Sequence, residues 1–181
     1  MLIDCWTQKI LTIAITSKYR NIKSKSAKVT DLLENIVLIS IPTAIIVLTR
    51  IIDNKTGLQW KADDSYMDLD KWVTWDEART YIIEVNRKKF AGYEDWRMPT
   101  RKEAQSIYDP ANPVTDNYGD TIFLLKGFPA GAGQTSWTKT LHRSERGTAI
   151  RFHFYNGDYK WNPMGLRSHG VRAVRTLKKG S

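Results

Sequence analysis

Residues 91–103 read AGYEDWRMPTRKE, and this stretch is more informative about the fold than any other part of the chain. Thr100 follows Pro99 and precedes Glu103 by three positions, which is the spacing of a capping box at a helix N-terminus. The predicted helix ends before Pro110, because proline lacks the backbone N–H that a helix interior needs. The stretch therefore predicts an irregular segment that leads into a short, capped helix.

A second capping box lies upstream, where Thr74 precedes Glu77 by three positions. It predicts a helix that ends near Arg87. Apolar residues recur along both predicted helices at spacings of three and four, so each helix has one apolar face. These residues are Trp75, Ala78, Ile82 and Val85 in the upstream helix, and Ala104, Ile107 and Tyr108 in the downstream helix. Two helices are thus expected to flank residues 92–99.

The C-terminal part of the chain predicts a long loop region followed by strands. Residues 110–133 are rich in Pro, Asn, Asp and Gly. Loops of this length are uncommon in compact domains unless they are functional, so residues 110–133 are a candidate binding surface. Strand-like segments follow at residues 135–140, 148–155, 158–161 and 170–177.

The pair Asn156-Gly157 predicts a β-hairpin with a two-residue turn. In that register Phe152 lies opposite Trp161, and His153 lies opposite Lys160. Alternation along each strand then separates a buried face from a face directed at solvent or ligand. The predicted buried face holds Ile150, Phe152, Phe154, Tyr159 and Trp161, and the other holds Arg151, His153, Tyr155, Asp158 and Lys160.

The chain is basic, with 28 Lys and Arg residues, 19 Asp and Glu residues and a formal net charge of +9. Such a charge favours anionic partners, namely polysaccharide, nucleic acid or a lipid surface. Nucleic acid is disfavoured, because the sequence carries no helix-turn-helix, zinc-finger or RNA-binding signature. The only cysteine of the sequence is Cys5, which excludes an intrachain disulfide, a CxxC redox pair and a cysteine zinc site.

A change of composition near residue 50 divides the chain into three parts. Residues 1–49 form a basic leader with an apolar segment, residues 50–177 have the composition of a globular domain, and residues 178–181 are a short tail. The apolar run at residues 35–49 is shorter than the roughly 20 residues that span a bilayer, although flanking residues extend it to 32–52.

Three interpretations of the leader remain open. A basic stretch before an apolar run is the charge order of a signal anchor or uncleaved signal, which predicts membrane contact through residues 32–52 and a location in the cell envelope. Alternatively, residues 36–41 and 44–52 are two buried strands separated by Pro42, because β-branched residues dominate both, and the protein is then cytoplasmic. In the third interpretation the leader is degenerate or misassigned.

Five short motifs occur in a characteristic order between residues 50 and 176. They are DNKTGLQW at residues 53–60, TWDEA at 74–78, AGYEDWRMPT at 91–100, SWT at 136–138 and VRAVR at 171–175. Together they resemble the bacterial Lcl C-terminal domain family, which takes its name from the terminal domain of a collagen-like adhesin that binds sulfated glycosaminoglycans. No collagen repeat occurs in this chain, because glycine does not recur at every third position.

The resemblance implies an α+β, C-type-lectin-like domain with two helices and a small, twisted, mainly antiparallel sheet with long loops. N- and C-terminal strands are expected to pair, and the long loops to present the binding site. The motif residues are then mainly structural. Trp60, Trp75, Trp96 and Trp137 are expected in the core, Gly57 and Gly92 at special backbone conformations, and Arg97 beside Asp95 or Glu103.

Three departures from related families limit the function. Calcium-dependent lectins of this fold bind calcium through acidic motifs. The nearest counterparts in this chain, residues 111–113 and 161–163, lack the carboxylates, and calcium needs about six to eight oxygen ligands. We expect the cluster Asp63, Asp64, Asp68 and Asp70 to be an acidic, solvated loop. The related formylglycine-generating oxidases need active-site cysteines, and residues 50–177 contain none. The histidines His142, His153 and His169 lack the spacing of metal ligands. We therefore expect neither catalysis nor a metal or other cofactor.

The sequence predicts a binding module that recognises an anionic glycan or polysaccharide through a basic loop and hairpin surface. Its candidate ligand-binding residues are Lys139, His142, Arg143, Arg146, Arg151, His153, Tyr155, Lys160, Trp161 and Arg167. The alternative is a protein-interaction or structural component of the envelope, with another envelope protein or a second copy of the chain as its partner. A third interpretation is that these basic residues form an ordinary solvated surface.

Overall fold

The computed structural model describes residues 49–177. Within this range the chain forms an α+β domain of three antiparallel sheets, three α-helices and one 3₁₀ turn. The strands are β1 (Arg50–Asp53), β2 (Leu58–Lys61), β3 (Pro113–Thr115), β4 (Thr121–Phe123), β5 (Thr135–Leu141), β6 (Thr148–His153), β7 (Tyr159–Pro163) and β8 (Val174–Thr176). The helices are α1 (Ser65–Leu69), α2 (Trp75–Arg87) and α3 (Arg101–Ser106), with the 3₁₀ turn at Phe90–Gly92.

The two ends of the domain are joined in one sheet. Its strand order is β1-β2-β8, so the N-terminal strands pair with the C-terminal strand as expected. Trp60 is the central residue, opposite Ile51 on one side and Val174 on the other. A turn that contains Gly57 separates β1 from β2, and its φ of 68° favours glycine, as expected for this residue.

The apolar segment of the leader lies largely outside the described residues. Its last residues form part of β1, where Ile51 pairs with Trp60 and Ile52 is about half exposed, at 48%. The alternative of a fully buried strand is therefore wrong for Ile52. Among residues 49–177, no helix has the length and apolarity that a membrane crossing requires.

Both predicted capping boxes are confirmed. Thr74 Oγ1 accepts a hydrogen bond from Glu77 N, and Glu77 Oε2 accepts one from Thr74 N in return. The same exchange joins Thr100 and Glu103 at the start of α3. The predicted apolar face of α2 is buried, together with Tyr81.

Helix α1 was not predicted, and the expected acidic loop is wrong at Asp64. This residue is only 3% exposed, because it is the N-cap of α1 and accepts a hydrogen bond from Met67 N. Its second oxygen accepts from Gly133 N at 2.8 Å, which ties residues 110–133 to the first helix. Tertiary contacts thus turn an apparently solvated aspartate into a buried cap.

The predicted hairpin forms with a different register. Phe152 lies opposite Tyr159 and Ile150 lies opposite Trp161, so β7 is displaced by two residues from the two-residue-turn register. A displacement by two leaves every side chain on its predicted face. The turn is longer than predicted: His153 N donates to Asp158 O and Gly157 N donates to His153 O, so residues 154–157 lie in the turn.

The predicted loop at residues 110–133 contains the β3–β4 hairpin. Ile122 and Leu124 from this region are fully buried and pack in a cluster with Trp60 and Phe152. A second cluster surrounds Trp75, Trp96 and Trp137 beneath α2. All four motif tryptophans are therefore core residues, as expected.

Candidate functional site

The ten candidate residues do not share one surface. Because Ile150 pairs with Trp161 and Arg151 pairs with Lys160, alternation places Trp161 and Arg151 on opposite faces of the β5-β6-β7 sheet. Each face carries a cavity that contains some of the candidates. The candidate residues of the hairpin thus line two different cavities.

The first cavity, which we call the basic aromatic cleft, has a volume of about 480 Å³ and lies between the start of α3 and the β5-β6-β7 sheet. It is lined by Arg101, Thr140, Leu141, His142, Arg143, Ile150, Tyr159 and Trp161. Tyr159 and Trp161 were predicted to be buried, but they are 40% and 41% exposed. The reason is that α3 packs on β5 and β6, whereas β7 is the edge strand of the sheet.

Arg101 and His142 each contact an exposed aromatic ring of the cleft. The Arg101 guanidinium lies 4.6 Å from the Tyr159 ring centroid, and the His142 ring meets Trp161 edge-on at 4.6 Å. The backbone of Arg101 is held against β5, because its N–H donates to Thr140 Oγ1 at 3.1 Å. Of the ion pairs among residues 49–177, none involves Arg101 or Arg143. Their charges are thus available to a ligand.

The second cavity, which we call the Arg151 pocket, has a volume of about 340 Å³. It is lined by Trp72, Tyr118, Gln134, Thr135, Arg151, His153, Tyr155 and Ser168. His153, predicted to face solvent or ligand, is only 3% exposed. It lies beneath the exposed ring of Tyr155, with 5.1 Å between the ring centroids.

Both histidines near Arg151 are held neutral. Burial lowers the pKa of His153 to about 4, and the charges of Arg151 and Lys160 act in the same direction. Burial and the Arg151 charge also lower the pKa of His169 to about 3. Arg151 Nη1 donates to His169 Nε2 at 3.4 Å, so the neutral His169 ring carries its proton on Nδ1, which donates to Thr135 Oγ1.

The remaining candidates lie outside both cavities. Lys139, Arg146 and Lys160 are exposed, with Lys160 directly opposite Arg151 on the neighbouring strand. Arg167 is engaged by Glu77 Oε1 at 2.7 Å, at the start of α2. The structure therefore brings together His142, Arg143 and Trp161 in one cavity and Arg151, His153 and Tyr155 in the other.

Several lining residues were missed by sequence reasoning. Arg101 follows a helix cap, where a basic residue carries no signal of binding, and Tyr159 was assigned to the core by alternation. Trp72 and Tyr118 are separated by 46 positions in sequence, yet Trp72 Nε1 donates to Tyr118 Oη at 2.9 Å. Only the fold brings such residues together.

No metal site is formed within residues 49–177, where no group of three or more His, Cys, Asp or Glu side chains converges on a common point. The three histidines of the described range lie in different surroundings. His142 accepts from Glu145 N at 3.0 Å, while His153 and His169 lie at the Arg151 pocket.

One protein-family model matches most of the described domain. The model of the Lcl C-terminal domain family matches residues 49–175, which is almost all of the described range. No curated protein matches the chain.

Proposed function

Because the chain belongs to the Lcl C-terminal domain family, we propose that it is a non-catalytic binding module that recognises an anionic polysaccharide at the basic aromatic cleft. Membership in this adhesin-type family indicates an adhesin-like domain of the cell envelope. We also propose that the domain is C-type-lectin-like. The terminal sheet, in which β2 pairs with both β1 and β8, and the two capped helices support that assignment.

The observation that carries the proposal is the pairing of free cations with exposed rings in the cleft. Arg101 and Arg143 present guanidinium groups without a carboxylate partner among residues 49–177. A guanidinium binds sulfate or carboxylate through charge-assisted and often bidentate hydrogen bonds. Tyr159 and Trp161 offer apolar ring surface against which the C–H faces of a sugar can pack. Together these groups suit a charged sugar chain.

The cleft also suits a polymer by its shape. Leu141, Tyr159 and Trp161 are all exposed along it, and the cavity is open to solvent at the edge strand β7. A chain can therefore pass across β7 without having to be enclosed. Lys139 and Arg146 are exposed on β5 and on the loop that follows it, where they add positive potential along the same sheet.

We predict that the double replacement Arg101→Ala and Arg143→Ala weakens binding to heparin, a sulfated polysaccharide, roughly 30-fold. This corresponds to about 1 kcal/mol for each partly exposed guanidinium–anion contact. The measurement is a titration of the full chain with heparin at fixed ionic strength, because salt screens exposed charges. Arg→Lys replacements at the same two positions should lose less, since they keep the charge but not the planar donor pair.

The matched control is the double replacement Lys88→Ala and Lys102→Ala. It removes the same charge from exposed positions, one at the end of α2 and one beside Arg101, and neither residue lines the cleft. An equal loss of affinity in both double variants would mean that heparin binding depends on net charge rather than on the cleft. If heparin fails to bind while a defined protein partner is captured, the protein-interaction alternative is correct.

We also predict that the native protein fractionates with the cell envelope or outside the cytoplasm, as the family indicates. Cell fractionation combined with N-terminal sequencing measures both the location and the fate of residues 1–49. An intact N-terminus in the cytosol would contradict the envelope location.

A further inference from the structure

We infer that the Arg151 pocket is a second ligand site, independent of the basic aromatic cleft, that accepts a single carboxylate-bearing sugar of the uronate class. The pocket lies on the opposite face of the β5-β6-β7 sheet from the cleft. Its binding groups are Arg151, His153 and the rings of Trp72 and Tyr155.

The first observation is that buried polar groups at this pocket have no partner in the protein. Both ring nitrogens of His153 lack a hydrogen bond, even though this residue is only 3% exposed. The Nε atom of Arg151 is also without a partner. Buried polar groups are nearly always hydrogen-bonded, and an unpaired one destabilises the fold. These three atoms belong to two residues that line one cavity, and we assign their missing partners to a ligand in that cavity.

The second observation is an uncompensated charge. Arg151 has no carboxylate partner among residues 49–177, and its protein contact is the long hydrogen bond of 3.4 Å to His169 Nε2. Lys160 stands opposite it and adds a second positive charge. At the rim, the Asp120 carboxylate is engaged by Gln134 Nε2 at 3.1 Å. A half-buried guanidinium in this setting favours an anion.

The third observation selects a hydroxylated ligand over a simple anion. A neutral imidazole has one N–H donor and one acceptor nitrogen, and both are unpartnered in His153. Sugar hydroxyl groups can both donate and accept, so a polyhydroxy ligand satisfies the two nitrogens together. Gln134, Thr135 and Ser168 add further polar side chains to the wall.

The fourth observation is a pair of ring surfaces for the body of the sugar. Trp72 is positioned by Tyr66, whose ring centroid lies 4.4 Å away, and by its hydrogen bond to Tyr118. It also lies so close over Gly133 that a Cβ atom there would be 2.7 Å from the indole. Tyr155 also lines the pocket, and its ring is exposed. The volume of about 340 Å³ is at the lower end for small-ligand sites and suits one monosaccharide.

The experiment is a ligand-detected NMR titration of the full chain with sodium glucuronate. We expect a dissociation constant of the order of 1 mM, as is reasonable for a ligand of this size. Glucose and the methyl ester of glucuronate should bind at least about tenfold more weakly, because neither carries the anion that Arg151 recognises. Equal binding of glucose, or equally strong competition by inorganic sulfate, would overturn the assignment to a sugar acid.

Variants test the named groups. Arg151→Ala should weaken glucuronate binding at least about tenfold, whereas Arg151→Lys should retain part of it. His153→Gln keeps one donor and one acceptor and should bind better than His153→Phe, which keeps only the ring shape. Unchanged binding in Arg151→Ala, with its circular dichroism intact, would refute the site. So would equal binding by the two His153 variants.

The double variant Arg101→Ala and Arg143→Ala separates the two sites. It should bind glucuronate within about twofold of the natural chain, because neither residue lines the Arg151 pocket. If heparin binding is unaffected by that variant while glucuronate binding depends on Arg151, the proposed cleft fails and the pocket stands. Loss of glucuronate binding in the cleft variant would show that the pocket is not an independent site.

Discussion

Replacing Trp137 by alanine is expected to lower the free energy of unfolding by about 3–5 kcal/mol, the typical cost of removing a large buried aromatic side chain. Trp137 is 0% exposed and lies in the cluster beneath α2. Its Nε1–H donates to Val73 O at 2.9 Å, and its ring meets His169 edge-on at 4.7 Å. The substitution therefore opens a cavity and leaves the Val73 carbonyl without its partner.

The measurement is urea unfolding followed by circular dichroism, with Trp161→Ala as the matched control. Trp161 is the same residue type but is 41% exposed on the edge strand, so its removal should cost about 1 kcal/mol or less. Trp137→Phe should fall between the two, since it fills most of the volume without the N–H donor. If the two alanine variants were equally stable, Trp137 would not have the structural role given to it here.

Replacing Glu103 by alanine is expected to cost about 2–3 kcal/mol, because this carboxylate serves two parts of the fold. Its oxygens accept from Arg97 Nη1 and Nη2 at 2.8 and 2.7 Å and from Thr100 N at 2.7 Å. Arg97 in turn exchanges two backbone hydrogen bonds with Val174 in β8. Glu103 therefore joins the start of α3 to the terminal sheet.

The variant Glu103→Gln separates the two roles. Glutamine can still accept from Thr100 N, as in a capping box, but it loses the ionic contact with Arg97. We expect about half of the loss seen with alanine. Glu84 is a useful control, because its carboxylate is paired with Arg87 on the exposed surface of α2 and its replacement should change stability little.

The same residue gives an expected pH dependence. Burial alone raises the pKa of Glu103, but hydrogen bonds from Arg97 and Thr100 outweigh it, so the pKa lies below its usual value. A lowered folded-state pKa stabilises the fold above the unfolded value of about 4.3, and this contribution is lost as the pH falls through the folded pKa. Unfolding free energies of the natural chain and Glu103→Gln should therefore converge in acid. A constant difference down to pH 2 would contradict the assignment.

Residues 91–103 show how far sequence could predict the fold. Local signals were sufficient for the capping box, because a cap and its partner lie three positions apart and need no distant residue. Sequence also predicted that Trp96 is buried and that Arg97 pairs with Glu103 or Asp95. What it could not show is that Asp95 binds Arg175 at 2.6 Å, 80 positions away. The stretch is thus the connection between the terminal sheet and α3.

The hairpin shows a different limit. Alternation assigned every side chain to the correct face, since a displacement by two residues preserves the faces. The displacement itself was not predicted: Asp158 O accepts from His153 N, whereas the two-residue turn would have paired Asp158 with Tyr155. Burial differed from the burial that alternation predicted. Tyr159 and Trp161 are exposed because β7 is an edge strand, whereas His153 is buried.

The family, the two capped helices, the core tryptophans and the basic character of the domain were predictable from the sequence, because these depend on composition and short-range spacing. Where the basic residues lie was set by the tertiary structure. It separated them onto two faces of one sheet, paired Arg167 with Glu77, and brought Arg101 to Tyr159. Which charges lack a partner could not be predicted from sequence, because ion pairing depends on contacts between residues far apart in the chain.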